Sequence, residues 1–97
     1  MIYHITTKKQ WIAAKELGFF REPSLHTEGF IHNSTEAQVA GVLERHYKGI
    51  SDLILLHIEE TKLAAVLKYE LAPSAKETFP HIFGPINLDA VVKITDI

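Results

Sequence analysis

The stretch DLILLHIEE (Asp52–Glu60) places four consecutive leucine and isoleucine residues between acidic ends. Such a run is short for a helix and too apolar for a surface loop. It reads as a strand shielded on both faces, which places it in the middle of a sheet. The rest of the chain must then supply neighbouring strands and cover.

Those neighbours are legible in outline. IYHIT (Ile2–Thr6) is short, β-branched and aromatic, so a strand is expected. Thr7 followed by Gln10 is a capping-box pattern, which predicts a helix over Lys8–Leu17 with Trp11, Ala14 and Leu17 on one face. Gly18 suits the left-handed cap that ends it. FFREPSLHTEG is expected to be irregular, because Pro23 is incompatible with a central strand. FIHNS (Phe30–Ser34) reads as a second strand. Thr35 and Gln38 repeat the capping box ahead of a helix whose stripe is Val39, Val42, Leu43, His46 and Tyr47, and Gly49 stops it.

AVLKYEL (Ala65–Leu71) reads as a strand with Val66, Lys68 and Glu70 on one side. PSAKETFPHIFGP, residues 73–85, reads as a loop on account of its prolines and Gly84. LDAVVKITDI closes as a strand. The resulting order, β-α-β-α-β-β-β, does not repeat βα units regularly. It implies an α+β single domain over residues 1–97, with a curved, mostly antiparallel sheet and two main helices, rather than a doubly wound sheet.

Composition narrows the function classes. The net charge of −2 and pI near 6.3 give no electrostatic footprint for duplex nucleic acid. With no cysteine, a disulfide, a thiolate zinc site and a cysteine nucleophile are all excluded. MIYHITTKKQ lacks the apolar core of a signal peptide, and no run approaches the ~20 apolar residues of a membrane span. A cytoplasmic protein without a membrane partner is the expectation; oligomeric state is not legible.

The six histidines are the unusual feature. Histidine donates, accepts, binds metal and titrates near neutrality. His4 lies on the first strand, on the face of Ile2, as a site residue or an edge histidine. His32 shares a strand face with Phe30 and Ser34 and lies just before a helix start, where amide donors attract anions. Gly29 and Asn33 beside it suit close backbone approach. His81 lies between Phe79 and Phe83 in the proline-stiffened segment, either in a cleft or as part of a plug of aromatics. His26, His46 and His57 read as structural or solvated. No HxH or HxxxH pair is present, so a zinc site would need His4, His32 and His81 to converge from distant segments. Glu70 stands out among the carboxylates, sharing its strand face with Lys68, either as a site residue or as a surface partner of that lysine. Glu22, Glu28, Asp52, Glu59 and Glu60 read as solvating. No Gly-rich phosphate loop and no nucleophile elbow occurs.

The segments IYHIT, PSL, EGFIHNST, DLILLHI, LKYE and FPHIFGPINLDAVV, taken in order, resemble the domain-of-unknown-function family nine-fifty-two. GFIHNS and FPHIFGPINLDAVV are the most specific of them. That family is in turn similar to the ADP-ribosyltransferase superfamily. The resemblance implies an ADP-ribosyltransferase-like fold and NAD as cofactor. It implies that His4 bonds a ribose hydroxyl and that His32, with Phe30 alongside, lies near the nicotinamide. It assigns Glu70 or His81 to the position that orients the nicotinamide ribose or the acceptor.

Cleaving the nicotinamide–ribose bond builds oxocarbenium character, which hydrogen bonds holding ribose and leaving amide can stabilise. Arg21, with Ser24 as helper, is the candidate for the pyrophosphate, and Ser34 is a further hydrogen-bonding candidate. The expected function is an NAD-linked transferase-like enzyme, of ADP-ribosyl or related phosphotransfer chemistry, or a nucleotide-binding remnant of one. The alternatives are a non-catalytic ligand-binding or interaction module and a three-histidine metal hydrolase.

Overall fold

The computed structural model describes residues 1–72 and 76–97. The elements run β1 (Ile2–Thr7), α1 (Lys8–Leu17), β2 (Phe19–Phe20), α2 (Ser24–Thr27), β3 (Ile31–His32), α3 (Val39–His46), β4 (Leu53–Ile58), β5 (Leu67–Ala72), β6 (Glu77–Ile82), β7 (Ile86–Asn87) and β8 (Val91–Asp96). Single 3₁₀ turns cover Glu36–Gln38, Glu60–Lys62 and Leu88–Ala90. The fold is α+β, and every strand pairing is antiparallel.

The strands form two three-stranded sheets, β1-β4-β8 and β3-β6-β5, and a short β2-β7 ribbon. The two larger sheets meet at one bridge, where Tyr3 and Ser34 exchange backbone hydrogen bonds of 2.8 Å in both directions. Ile2, Phe20, Ile31, Leu56, Ile58, Ile82 and Ile86 are fully buried in one core cluster.

Thr7 caps α1, accepting from the Gln10 N–H at 3.1 Å, and Gly18 ends it at φ +96° with its N–H on the Ala14 carbonyl at 2.8 Å. Ala14 is buried and Trp11 packs on the core, but Leu17, placed on the same face by spacing, is 52% exposed at the last turn. In α3 the stripe residues Val42, Leu43 and Tyr47 are half-buried and His46 is exposed.

β4 is the central strand of its sheet, with Ile54, Leu56 and Ile58 buried. Shielding on both faces does not hold. Leu53, Leu55 and His57 alternate as half-buried residues, because their face carries polar neighbours. His57 meets Tyr3 edge-on at 4.9 Å and its Nε2 bonds the Thr95 hydroxyl at 3.0 Å. Burial, and then Lys93, hold its imidazole below the ordinary histidine range.

The expectation of a loop over residues 73–85 is corrected. Pro73, Ser74 and Ala75 lie outside the described residues, but Glu77–Ile82 is a strand, and it lies between β3 and β5. Pro80 is tolerated there for a local reason. Its carbonyl accepts from the Asn33 N–H at 3.0 Å, and its missing N–H falls at the same position. The β3–β6 ladder stops at that point, and the chain leaves β6 to bridge β1 through Ser34.

Residues 19–29 are also more regular than proline suggested. Buried Phe20 pairs with Ile86, and Pro23, at φ −54°, sets the first turn of α2. Among the described residues, no helix is long and apolar enough to cross a membrane.

Removing apolar bulk from the central strand has a definite cost. Leu56→Ala is expected to lower the unfolding free energy by about 2–5 kcal/mol in urea melts. Leu71→Ala, at a 62% exposed position, is expected to stay within about 0.5 kcal/mol of the parent chain.

Candidate functional site

Antiparallel register decides which side chains share a face. His32 lies directly opposite His81 across β3–β6, and Lys68 lies opposite His81 across β6–β5. Ile31, Ile82 and Leu67 occupy the other face, against the core. The histidine face borders an open groove of about 980 Å³ that reaches across to β1 and α3. A groove of that size accommodates a ligand of nucleotide dimensions. His4, His32 and His81 all line it, with Phe30 and Ser34.

His81 is held through one ring nitrogen. Its side chain is 9% exposed and its Nδ1 lies 2.8 Å from Glu70 Oε1. In the neutral ring, an Nδ1 hydrogen on the carboxylate makes Nε2 the acceptor, and Nε2 has no protein partner among the described residues. Phe30 stacks on the ring at 4.0 Å and 19°. The sequence pairing of Glu70 with Lys68 is replaced: Glu70 turns to the imidazole diagonal to it, and Lys68 lies 5.3 Å over the Phe83 ring.

His32 is exposed. Its Nε2 lies 3.0 Å from Glu28 Oε2, and its ring centroid lies 5.4 Å from that of His81, nearly perpendicular. Glu28 comes back onto His32 because Gly29, at φ +89°, turns the chain after α2, a conformation that glycine adopts without a steric penalty.

His4 is 4% exposed and uses both ring nitrogens inside the protein. Nδ1 donates to the His32 carbonyl at 2.6 Å, and Nε2 faces Glu22 Oε1 at 2.9 Å. Glu22 is steadied in turn by Gln10 Nε2, which donates to Oε2 at 3.3 Å. Two acceptors facing two ring nitrogens match the two N–H donors of an imidazolium. Past the single Tyr3–Ser34 bridge, the His4 ring therefore takes a β3 carbonyl that a further backbone ladder step would have used. Glu22 and Glu28, which looked solvating in the sequence, are histidine partners.

Arg21 and Ser24 do not join this groove. Arg21 lies 5.7 Å over the Phe19 ring and borders a small hollow beside α1. The groove's cation is Arg45 of α3, which forms no ion pair among the described residues. Its guanidinium folds over Gly41, with Nη1 3.0 Å from where a Cβ at residue 41 would stand. The i, i+4 spacing of Gly41 and Arg45 was the available sequence signal. Tyr47 also lines the groove. Burial, and then the charge of Glu22, push its hydroxyl above the ordinary tyrosine range, so it remains a hydrogen-bond donor at neutral pH.

Among the described residues, no three histidine, aspartate or glutamate side chains converge at metal-binding distance. With His4 satisfied on both nitrogens, the three-histidine metal centre has no geometric support.

The His4 contacts predict a stability effect. His4→Ala leaves the His32 carbonyl without its donor and Glu22 with only the 3.3 Å bond from Gln10, and is expected to cost about 3–5 kcal/mol in urea unfolding. Glu22→Gln keeps an acceptor for Nε2 and is expected to cost about 1 kcal/mol. A His4→Ala cost below about 0.5 kcal/mol would mean that the ring does not join the sheets.

No curated protein matches the chain. Solved structures of one bacterial protein do. The crystal structure of CC0527 from Caulobacter crescentus shares 31% identity at a TM-score of 0.89, over 98% of this chain and 83% of that one. A double-mutant crystal form of CC0527 gives 30% and 0.88 over the same shares, and its solution NMR structure gives 31% and 0.84, over 99% and 83%. Residues 5–94 match the family described as "Protein of unknown function (DUF952)", and the chain belongs to that family.

Proposed function

We propose that the groove is a nucleotide site and that the chain is an NAD-linked transferase-like enzyme on an ADP-ribosyltransferase-like fold. The observation that carries this reading is His81, fixed by Glu70 and stacked on Phe30, with Nε2 left free at a groove that His32 and Arg45 share.

The residues present fit such a group. The stacked Phe30–His81 pair offers an aromatic face to a base or nicotinamide ring. Arg45 offers a phosphate a guanidinium that forms no ion pair among the described residues, and Tyr47 and Ser34 offer hydroxyls to sugar oxygens. When bound, NAD supplies a ribosyl carbon whose bond to nicotinamide can be broken.

The chain's own part is to position and to move one proton. Glu70 holds the Nδ1–H of His81, so that Nε2 accepts the proton of an acceptor hydroxyl or water. His32 donates toward the ribose or the departing amide, its ring steadied by Glu28. His4 acts behind this pair: its bond to the His32 carbonyl holds the β3 backbone in place. Direct contact between His4 and a ribose would require the Glu22 contact to open.

NAD and ADP-ribose at about ten times their Kd are expected to add about 1.4 kcal/mol of stability, raising the Tm by roughly 5–10 °C. His81→Ala and His32→Ala should remove that shift while retaining a cooperative melt. Nicotinamide release, followed by chromatography, should fall about 10²–10⁴-fold in His81→Ala. An unchanged Tm at millimolar NAD and ADP-ribose overturns the reading. Nucleotide binding with no nicotinamide released would leave the groove as a binding module.

A further inference from the structure

The NAD reading uses His81 as a base and His32 as an auxiliary donor. Taken as a pair, the two imidazoles support a second chemistry that needs no NAD. They stand opposite each other on adjacent strands with ring centroids 5.4 Å apart. Each is tied to a glutamate, through opposite nitrogens: Nδ1 in His81 and Nε2 in His32. Each therefore keeps one ring nitrogen without a protein partner among the described residues. Their surroundings differ, since His81 is buried under Phe30 and His32 is exposed at the rim. Two titratable groups of one kind held in unlike environments is the arrangement that separates an acid role from a base role.

We propose that His81 and His32 form a general base and general acid pair for hydrolysis of a nucleoside 2′,3′-cyclic phosphodiester. The phosphoryl group is small enough to contact both rings at once, and Arg45, without an ion pair among the described residues, supplies the cation that its non-bridging oxygens need. The Phe30 face takes the base. The strained five-membered ring makes the leaving oxygen a better leaving group than that of a linear diester.

In the step, His81 Nε2 takes a proton from water as the water oxygen attacks phosphorus. The bond from phosphorus to one ribose oxygen breaks, and that oxygen keeps the electron pair. His32, entering as the imidazolium with Nε2–H on Glu28, gives its Nδ1–H to that oxygen. The product is a nucleoside phosphomonoester. The proton gained by His81 and the proton lost by His32 are exchanged with solvent, which restores both rings. Water is the sole co-reactant.

The test is direct. The full chain is incubated with adenosine 2′,3′-cyclic phosphate, without NAD, and the product is followed by phosphorus NMR. Adenosine monophosphate should accumulate catalytically. His32→Ala and His81→Ala should each lower kcat/KM by about 10²–10⁴-fold, and Glu70→Gln by a smaller factor. His32 is exposed, so its variant folds, and Glu70→Gln probes the buried ring without emptying its place. Arg45→Ala should raise KM.

No turnover at millimolar substrate overturns the proposal, as does turnover that His32→Ala leaves at the parent rate. Turnover in a chain that fails to bind NAD removes the NAD reading and leaves this one standing. NAD binding without turnover of the cyclic phosphate does the reverse.

Discussion

The 2.6 Å hydrogen bond from the buried His4 ring, through Nδ1, to the His32 carbonyl is the contact on which the site depends. Among the described residues, the β1-β4-β8 and β3-β6-β5 sheets share a single backbone bridge. One bridge is a weak hinge for two three-stranded units. The imidazole adds a second fixed point one residue further along β1, and Glu22 balances the ring's other nitrogen. A buried pair of this kind stabilises little in net terms but is costly to break, because either partner alone is left buried without its complement. Its use here is geometric. It fixes the backbone of His32, and so fixes how His32 stands relative to His81.

From that point the groove follows. Pro80 ends the β3–β6 ladder, Ser34 carries the chain to Tyr3, and the face opposite the core stays open beneath α3. Four histidines line it, and three of them, His4, His32 and His81, each have a glutamate, but the consequences differ. In His4 both nitrogens are consumed, so the ring is a strut. In His81 and His32 one nitrogen is held and the other is left over, which is how a side chain is positioned for proton transfer.

How much of this was legible in the sequence depends on the range of the interaction. Local rules served well where the physics is local. The Thr7–Gln10 capping box and Gly18 bound α1 at the expected residues, and the apolar run of β4 marked the centre of a sheet. The strand at Glu77–Ile82 was not legible, because proline forbids a ladder step only at one position, and that position coincides with the end of a two-residue strand distant in sequence.

The site residues divide in the same way. His4, His32, His81 and Phe30 stood out by type and by flanking residues. Glu70 stood out among the carboxylates, but its pairing with His81, 11 residues away, did not, and Glu22, 18 residues from His4, looked like an ordinary solvating acid. Arg21 was the sequence candidate for the anion, but helix α3 carries Arg45 to the groove and Arg21 stays on the α1 side. The family membership and the likeness to CC0527 fix the fold's company, and the chemistry must come from the groove itself.

Long-range proton–nitrogen NMR of the imidazole rings, recorded as ADP-ribose is added, addresses the central claim most directly. The account predicts that His81 starts with its hydrogen on Nδ1 and that its Nε2 signal moves on ligand addition, with that of His32 Nδ1, while both His4 nitrogens and those of His57 stay where they are. Signals of His32 and His81 that do not respond, or a response centred on His4 with its bonds to His32 and Glu22 lost, would contradict it.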